Sequence, residues 1–99
     1  MNYSLHPEAV REFDKATGYY REIQPSLSNK FEDDFDSTLE RMLSFPKAWP
    51  IMRGDFRRCL LKRFPFGIIY KVDKKKDMCL IFAVMHLHRN PRYWEEPEF

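Results

Sequence analysis

The chain has 99 residues, 43% apolar and 16% aromatic, enough for one hydrophobic core and too few for two. Its longest apolar stretch, residues 79–85, falls far short of the roughly 20 residues that span a bilayer. The opening Met1-Asn2-Tyr3-Ser4 lacks the basic-then-apolar order of a secretory signal, so a cytoplasmic location with no membrane partner is expected. The net charge of +2 is uneven: −3 over residues 1–52, +7 over 53–76 and −2 over 77–99. A basic middle section in a near-neutral chain points to one local surface for an anionic partner, although Lys74-Lys75-Lys76 alone reads as a solvated turn.

Residues 3–5 predict a short strand ended by His6-Pro7. Proline suits a first helical turn, where its missing N–H would have no intrahelical partner. Apolar residues then recur at Ala9, Val10, Phe13, Ala16 and Tyr20, which is helical spacing. Gln24-Pro25-Ser26 breaks this pattern, and a second helical stripe follows through Leu27, Phe31, Phe35, Leu39, Met42 and Leu43. Asp33, Asp34, Asp36 and Glu40 are expected to face water. Two such helices joined by a short link read as a helical hairpin. Phe45-Pro46 ends the second helix, and Pro46, Pro50 and Gly54 mark residues 46–55 as a loop, with Trp49 and Ile51 tucked onto the core.

Three strands are then predicted, at residues 57–62, 66–73 and 78–86. In the second, Phe66, Ile68, Tyr70 and Val72 alternate with Gly67, Ile69 and Lys71, so the first set shares one face. The third is apolar on both faces, which suggests an interior position. Short connections make these strands antiparallel. The predicted fold class is α+β, in the order β-α-α-β-β-β, with an N-terminal helical hairpin packed on a mostly antiparallel four-stranded sheet. Residues 1–99 read as a single domain whose end, beyond about Tyr93, is a short acidic tail. Cys59 and Cys79 each lie within an apolar run and outside any Cys-x-x-Cys pair, so they are expected to be buried thiols without a metal.

The C-terminal half carries a more specific signal. Phe64-Pro65-Phe66-Gly67-Ile68-Ile69-Tyr70 is followed by Ala83-Val84-Met85-His86 and by Arg89-Asn90-Pro91-Arg92-Tyr93-Trp94. This resembles the FPY-x-I-x-Y … A-V-x-H-x-x-R-x-P-x-Y-W pattern of the RelE/ParE superfamily, and more narrowly its plasmid-stabilisation proteins. His6-Pro7-Glu8-Ala9, Tyr19-Tyr20, Leu27 with Phe31, Pro46, Pro50 and Gly54 agree with that subgroup. The resemblance implies two helices on a mostly antiparallel sheet. It also implies a toxin of a type II toxin–antitoxin system, silenced by a cognate antitoxin whose flexible segment wraps it. Members either cleave messenger RNA on the ribosome or bind DNA gyrase without cutting RNA, and the fold does not choose between them.

Metal-free RNA cleavage requires a proton acceptor, a phosphate-stabilising cation and a proton donor. The candidates here are His86, Arg89 and Tyr93, with Arg57, Arg58, Lys62 and Arg63 as anion- or target-binding cations. The equally plain reading of the basic strand is an edge protected from aggregation by like charges. His86 also reads as a strand-end residue bonded to backbone, and Tyr93 and Trp94 as aromatics that seal the core. The RNase members that the resemblance brings in place a tyrosine six residues after a strand-end arginine. Counting back from Tyr93 gives Leu87, and counting on from Arg89 gives Glu95, so neither register restores the pair. Members with a terminal His-Tyr pair differ too, because His86 is followed by Leu87 and His88 by Arg89. Inhibition by binding is therefore favoured over a metal-independent endoribonuclease, and an inactive relative that keeps only antitoxin binding is the third alternative. No cofactor or metal is expected. Direct DNA binding is not expected without the antitoxin.

Overall fold

His6 sets the first helix. In the computed structural model, which describes residues 1–88, its Nδ1 accepts the Glu8 N–H at 3.0 Å, capping the helix at the point where Pro7 begins it. The elements are β1 (Asn2–Leu5), α1 (Pro7–Ile23), α2 (Pro25–Ser44), β2 (Ile51–Arg53), β3 (Phe56–Leu60), β4 (Phe66–Asp73) and β5 (Met78–His86). Gln24 is extended between the helices, and its N–H closes α1 onto the Tyr20 carbonyl at 3.0 Å. Pro25 then opens α2.

The sheet has five strands in the order β1-β5-β4-β3-β2. β1 runs parallel to β5, and the remaining pairs are antiparallel. The α+β class and the helical hairpin stand as expected. The strand count rises by one, because residues 51–53, expected in a loop, pair with β3. Gly54 permits this. At φ 55 it occupies the left-handed region that glycine enters without steric cost, and the chain reverses between Arg53 and its partner Phe56. The first strand of the basic segment stops at Leu60 rather than at residue 62.

Both helices cover one face of the sheet. Phe31, Phe35, Leu39 and Met42 of α2 and Ala9 and Ala16 of α1 are buried with Cys59, Phe66, Ile68, Tyr70, Cys79, Ile81 and Val84. The alternation expected for β4 holds. In β5 it does not. The partner of Ile69 is Ala83, but the partner of Tyr70 is Ile81, so Phe82 is an extra residue in a β-bulge. The bulge leaves Ile81 and Val84 on the helix face, three residues apart, while Ala83 joins a second buried group with Ile69 and Met85. Phe82 packs edge-on against Phe56 at 5.1 Å. As expected, β5 is interior and the two cysteines are buried free thiols. Trp49 packs on the core, but Ile51 is 56% exposed. Val10, at 43% exposure, also lies off the buried stripe. No helix of the described residues is long and apolar enough to cross a membrane.

The acids of α2 do not all face water. Asp34 is buried, and its carboxylate accepts the backbone N–H groups of Lys62, Arg63 and Phe64 at 3.2, 2.8 and 3.1 Å. Three orphan donors of the turn between β3 and β4 are satisfied by one side chain. That is why the strand ends at Leu60. The next N–H, of Leu61, bonds the Phe66 carbonyl at 3.0 Å, and those after it turn toward α2.

Candidate functional site

A groove of about 570 Å³ runs between α1 and the ends of β4 and β5. Its walls are Tyr19, Tyr20 and Ile23 from α1 and Pro65, Phe66 and His86 from the sheet. The helix side is apolar and open: Tyr19 is 62% exposed and Ile23 59%. Isolated exposed apolar residues are ordinary; here Tyr19 and Ile23 flank one concave surface.

The floor of the groove follows from the sheet register. β1 pairs with β5 only as far as Leu5 opposite Ile81, and the His6 N–H makes the last bond, to the Ile81 carbonyl at 2.8 Å. Beyond that point no strand of the described residues borders this edge of β5. Glu12 of α1 reaches into the gap and accepts the Val84 N–H at 3.0 Å. The carboxylate thus stands in for a strand carbonyl. Lys15, one residue before Ala16, brings a positive charge to the same wall. The groove therefore combines apolar walls, one sheet edge and charges of both signs.

His86 ends β5 opposite Phe66. Its ring stands edge-on to Phe66 at 5.1 Å and lies 5.3 Å from the His88 ring. Nδ1 accepts the His88 N–H at 3.2 Å, so the ring proton of the neutral form sits on Nε2. The bond expected for this residue was to a backbone carbonyl; the one described is instead accepted from a backbone N–H, that of His88.

The four cations of the basic segment are spread apart. Arg57 points to the helix side, where Nη1 donates to the carbonyls of Lys47 and Trp49 at 3.1 and 2.7 Å and ties residues 46–50 to the sheet. Tyr70, its cross-strand partner, donates its hydroxyl to the Pro46 carbonyl at 2.5 Å and fastens the same segment. Arg58 takes the opposite face and lies so close to Gly67 that a Cβ there would sit 3.0 Å from its Cγ. Lys62 and Arg63 have exposed side chains above the turn held by Asp34. Among the described contacts of His86 none is with any of these cations. Arg89 and Tyr93 lie outside the described residues.

The sequence reading put Asp34 in water and did not single out Glu12. Both carry a positional signal. Asp34 stands three residues after Phe31 and four before Thr38, on the buried stripe, and Glu12 stands between Ala9 and Ala16 in the same way.

The buried thiols give a pH prediction. Burial pushes the Cys59 thiol from about 9 up to about 11, with Arg41 opposing part of the rise. The folded chain holds this proton where the unfolded chain releases it. Its contribution to stability is therefore complete below pH 9 and is lost as pH rises to 11. Over that window the urea midpoint is expected to fall, with up to about 3 kcal/mol from this group. Cys59→Ala should flatten part of the decline. An unchanged slope in that variant would assign the decline to other groups, such as Tyr70, whose hydroxyl burial also pushes up.

Comparison with known proteins agrees with the architecture. The family model described as "ParE toxin of type II toxin-antitoxin system, parDE" matches residues 3–91. No curated protein matches the chain. Among solved structures, a chain of the chromosomal ParDE TA system from P. aeruginosa superposes with a TM-score of 0.69 at 17% identity, covering 89% of this chain and 97% of that one. At that identity the likeness concerns the fold.

Proposed function

The chain belongs to the ParE toxin family of type II toxin–antitoxin systems, and from that premise we propose that it arrests growth by binding an essential target, in the manner of gyrase inhibition, and is neutralised by a cognate antitoxin seated in the α1 groove. The observation that supports this reading is that, among the described residues, His86 makes no recorded contact with the cations of the basic segment. Arg57 is spent on backbone carbonyls, Arg58 lies on the far face, and the contacts of His86 among the described residues are with the Phe66 and His88 rings and the His88 N–H. Metal-free cleavage requires its acid, base and cation around one phosphate. The groove supplies what a flexible partner segment needs instead: two exposed apolar anchors and a strand edge.

Expression of the chain alone tests the target. Growth arrest with intact messages, together with loss of supercoiling by purified gyrase, is the expected result. New message ends in the ribosomal A site that vanish in His86→Ala would replace this reading with an endoribonuclease. Absence of any growth defect would favour a relative that only binds antitoxin.

The groove has its own test. Tyr19→Ala together with Ile23→Asp removes one anchor and puts a charge at the other. Hot-spot losses of about 2 kcal/mol predict antitoxin binding at least roughly 30-fold weaker, with the fold unchanged because both side chains are exposed. Full affinity in a calorimetric titration would move the antitoxin off this groove.

A further inference from the structure

Two consecutive arginines build a second concave surface, at the β2–β3 edge of the sheet. A cleft of about 550 Å³ lies there, lined by Trp49, Pro50, Ile51, Met52, Arg58 and Leu60. The Arg57 guanidinium holds the Trp49 carbonyl at 2.7 Å, and the Arg58 N–H holds the Pro50 carbonyl at 3.1 Å. The Tyr70 hydroxyl ties down the same segment at Pro46. One wall of the cleft is therefore set before any partner arrives, which lowers the ordering cost of binding.

The opposite wall is fixed by a missing side chain. A Cβ at Gly67 would meet Arg58 Cγ at 3.0 Å, Arg58 Cδ at 3.1 Å and Leu60 Cδ2 at 3.3 Å. Arg58 and Leu60 are two apart on β3 and share a face. Glycine lets the stem of one and the side chain of the other lie flat on β4. The half-buried Arg58 thus carries its guanidinium on a packed stem, and among the described residues that guanidinium has no acceptor. Asp73, an acid on the same face of β4, is already taken by the N–H groups of Lys75 and Lys76 at 3.1 and 3.2 Å. Ile51 and Leu60, 56% and 44% exposed, add apolar area to the same cleft. A held guanidinium beside aliphatic walls fits a carboxylate that neighbours an apolar side chain.

Charge and wall chemistry choose among occupants. Residues 53–76 carry +7, so a second copy of the chain would bring two basic edges together. A nucleic-acid strand binds through rows of cations and open rings for stacking. Here the ring in the wall is Trp49, half-buried with the Arg41 guanidinium 5.7 Å from its centre, and the other walls are aliphatic. Pro50, at the entry to β2, has no N–H to offer an added strand, so side chains do the recognition.

We propose that this cleft takes an acidic segment of a partner protein, with a carboxylate on the Arg58 guanidinium and the adjoining bulky apolar side chain between Ile51 and Leu60. The inference rests on the reading of the chain as an inhibitor that acts by binding, and gives the target a surface distinct from the antitoxin groove. It does not depend on gyrase being that target.

The test selects random short peptides on the purified full chain and titrates the recovered sequences into methyl-labelled protein. Aspartate or glutamate beside a bulky apolar residue is the expected sequence, with shifts at the Ile51 and Leu60 methyls. Arg58→Met keeps an aliphatic stem over Gly67 and removes the charge. It should weaken these peptides at least roughly tenfold with an unchanged melting curve. Arg58→Lys should recover only part of the loss, because an ammonium lacks the planar fork that grips a carboxylate. Recovered sequences without an acid, shifts at Ile23 instead, or full affinity in Arg58→Met would each overturn the proposal. Oligouridylate that moves the Ile51 and Leu60 methyls at lower concentration than the peptides would overturn it in favour of a nucleic-acid partner. A dimer in sedimentation that Leu60→Asp dissolves would overturn it in favour of a second copy. These readouts use no target, so undiminished supercoiling by gyrase would remove the gyrase reading and leave them standing.

Discussion

Phe31→Ala is expected to lower stability by about 4 kcal/mol, the largest effect of any single truncation proposed here. Phe31 is fully buried, and its ring meets Phe66 at 5.2 Å, Phe64 at 5.3 Å, Tyr20 at 5.4 Å and Phe13 at 5.7 Å. These neighbours come from α1, from the β3–β4 turn and from β4, so the ring joins three parts of the fold. Truncation loses the transfer energy of the ring and leaves a cavity whose walls are stiff aromatics, which collapse poorly. Domains of this size hold roughly 5–15 kcal/mol in total, so the variant should melt about 20 °C lower. Phe31→Leu refills most of the volume and should recover more than half of the loss. Calorimetry checks both. A shift of only a few degrees in the alanine variant would mean that the cluster repacks around the gap, and that the ring contacts carry little.

Asp34→Ala is expected to cost about 3 kcal/mol by a different route. The carboxylate satisfies three backbone donors, at Lys62, Arg63 and Phe64. Without it those N–H groups lose their acceptor in a partly buried turn, and water replaces it incompletely. The turn also presents Phe64 to the ring of Phe31. Loosening it therefore weakens the aromatic cluster, so the two variants should not be additive. Asp34→Asn keeps one acceptor oxygen but turns an N–H₂ toward the donors, and about half of the loss should remain. Hydrogen exchange gives the local readout. Amides 62–64 should lose protection in Asp34→Ala beyond the global change. Retained protection there would show that the turn finds other acceptors.

Much of this fold was legible from local pattern. The period of α2 located Phe31, Phe35, Leu39 and Met42 in the core, and the period of β4 assigned Phe66, Ile68 and Tyr70 to one face. His6-Pro7 marked the start of α1, and the cysteines were placed correctly as buried thiols. β2 was not legible, because three residues between Pro50 and Gly54 carry too little alternation to distinguish a strand from a loop. Their pairing depends on β3 being within reach. The bulge at Phe82 was hidden for a related reason: an extra residue in one strand is defined only against its partner.

The candidate site was legible in residue types and not in arrangement. Arg57 and Arg58 are adjacent in sequence and alike in chemistry, yet the strand period sends them to opposite faces. Strand period alone separates the two, but which of them meets the helices depends on where α1 and α2 pack.

The sequence by itself determined the helical hairpin, the strand runs of the C-terminal half, the core stripe and the resemblance to toxin–antitoxin toxins, because each rests on spacing or motif within a few tens of residues. Only the tertiary structure decided that Asp34 is a buried acceptor, that Glu12 completes the edge of β5 where β1 runs out, and that Arg57 fastens a loop. Those roles belong to pairs between 8 and 72 residues apart. A carboxylate or guanidinium has the same appearance in a sequence whether water or a distant N–H or carbonyl satisfies it, and long-range contact decides which.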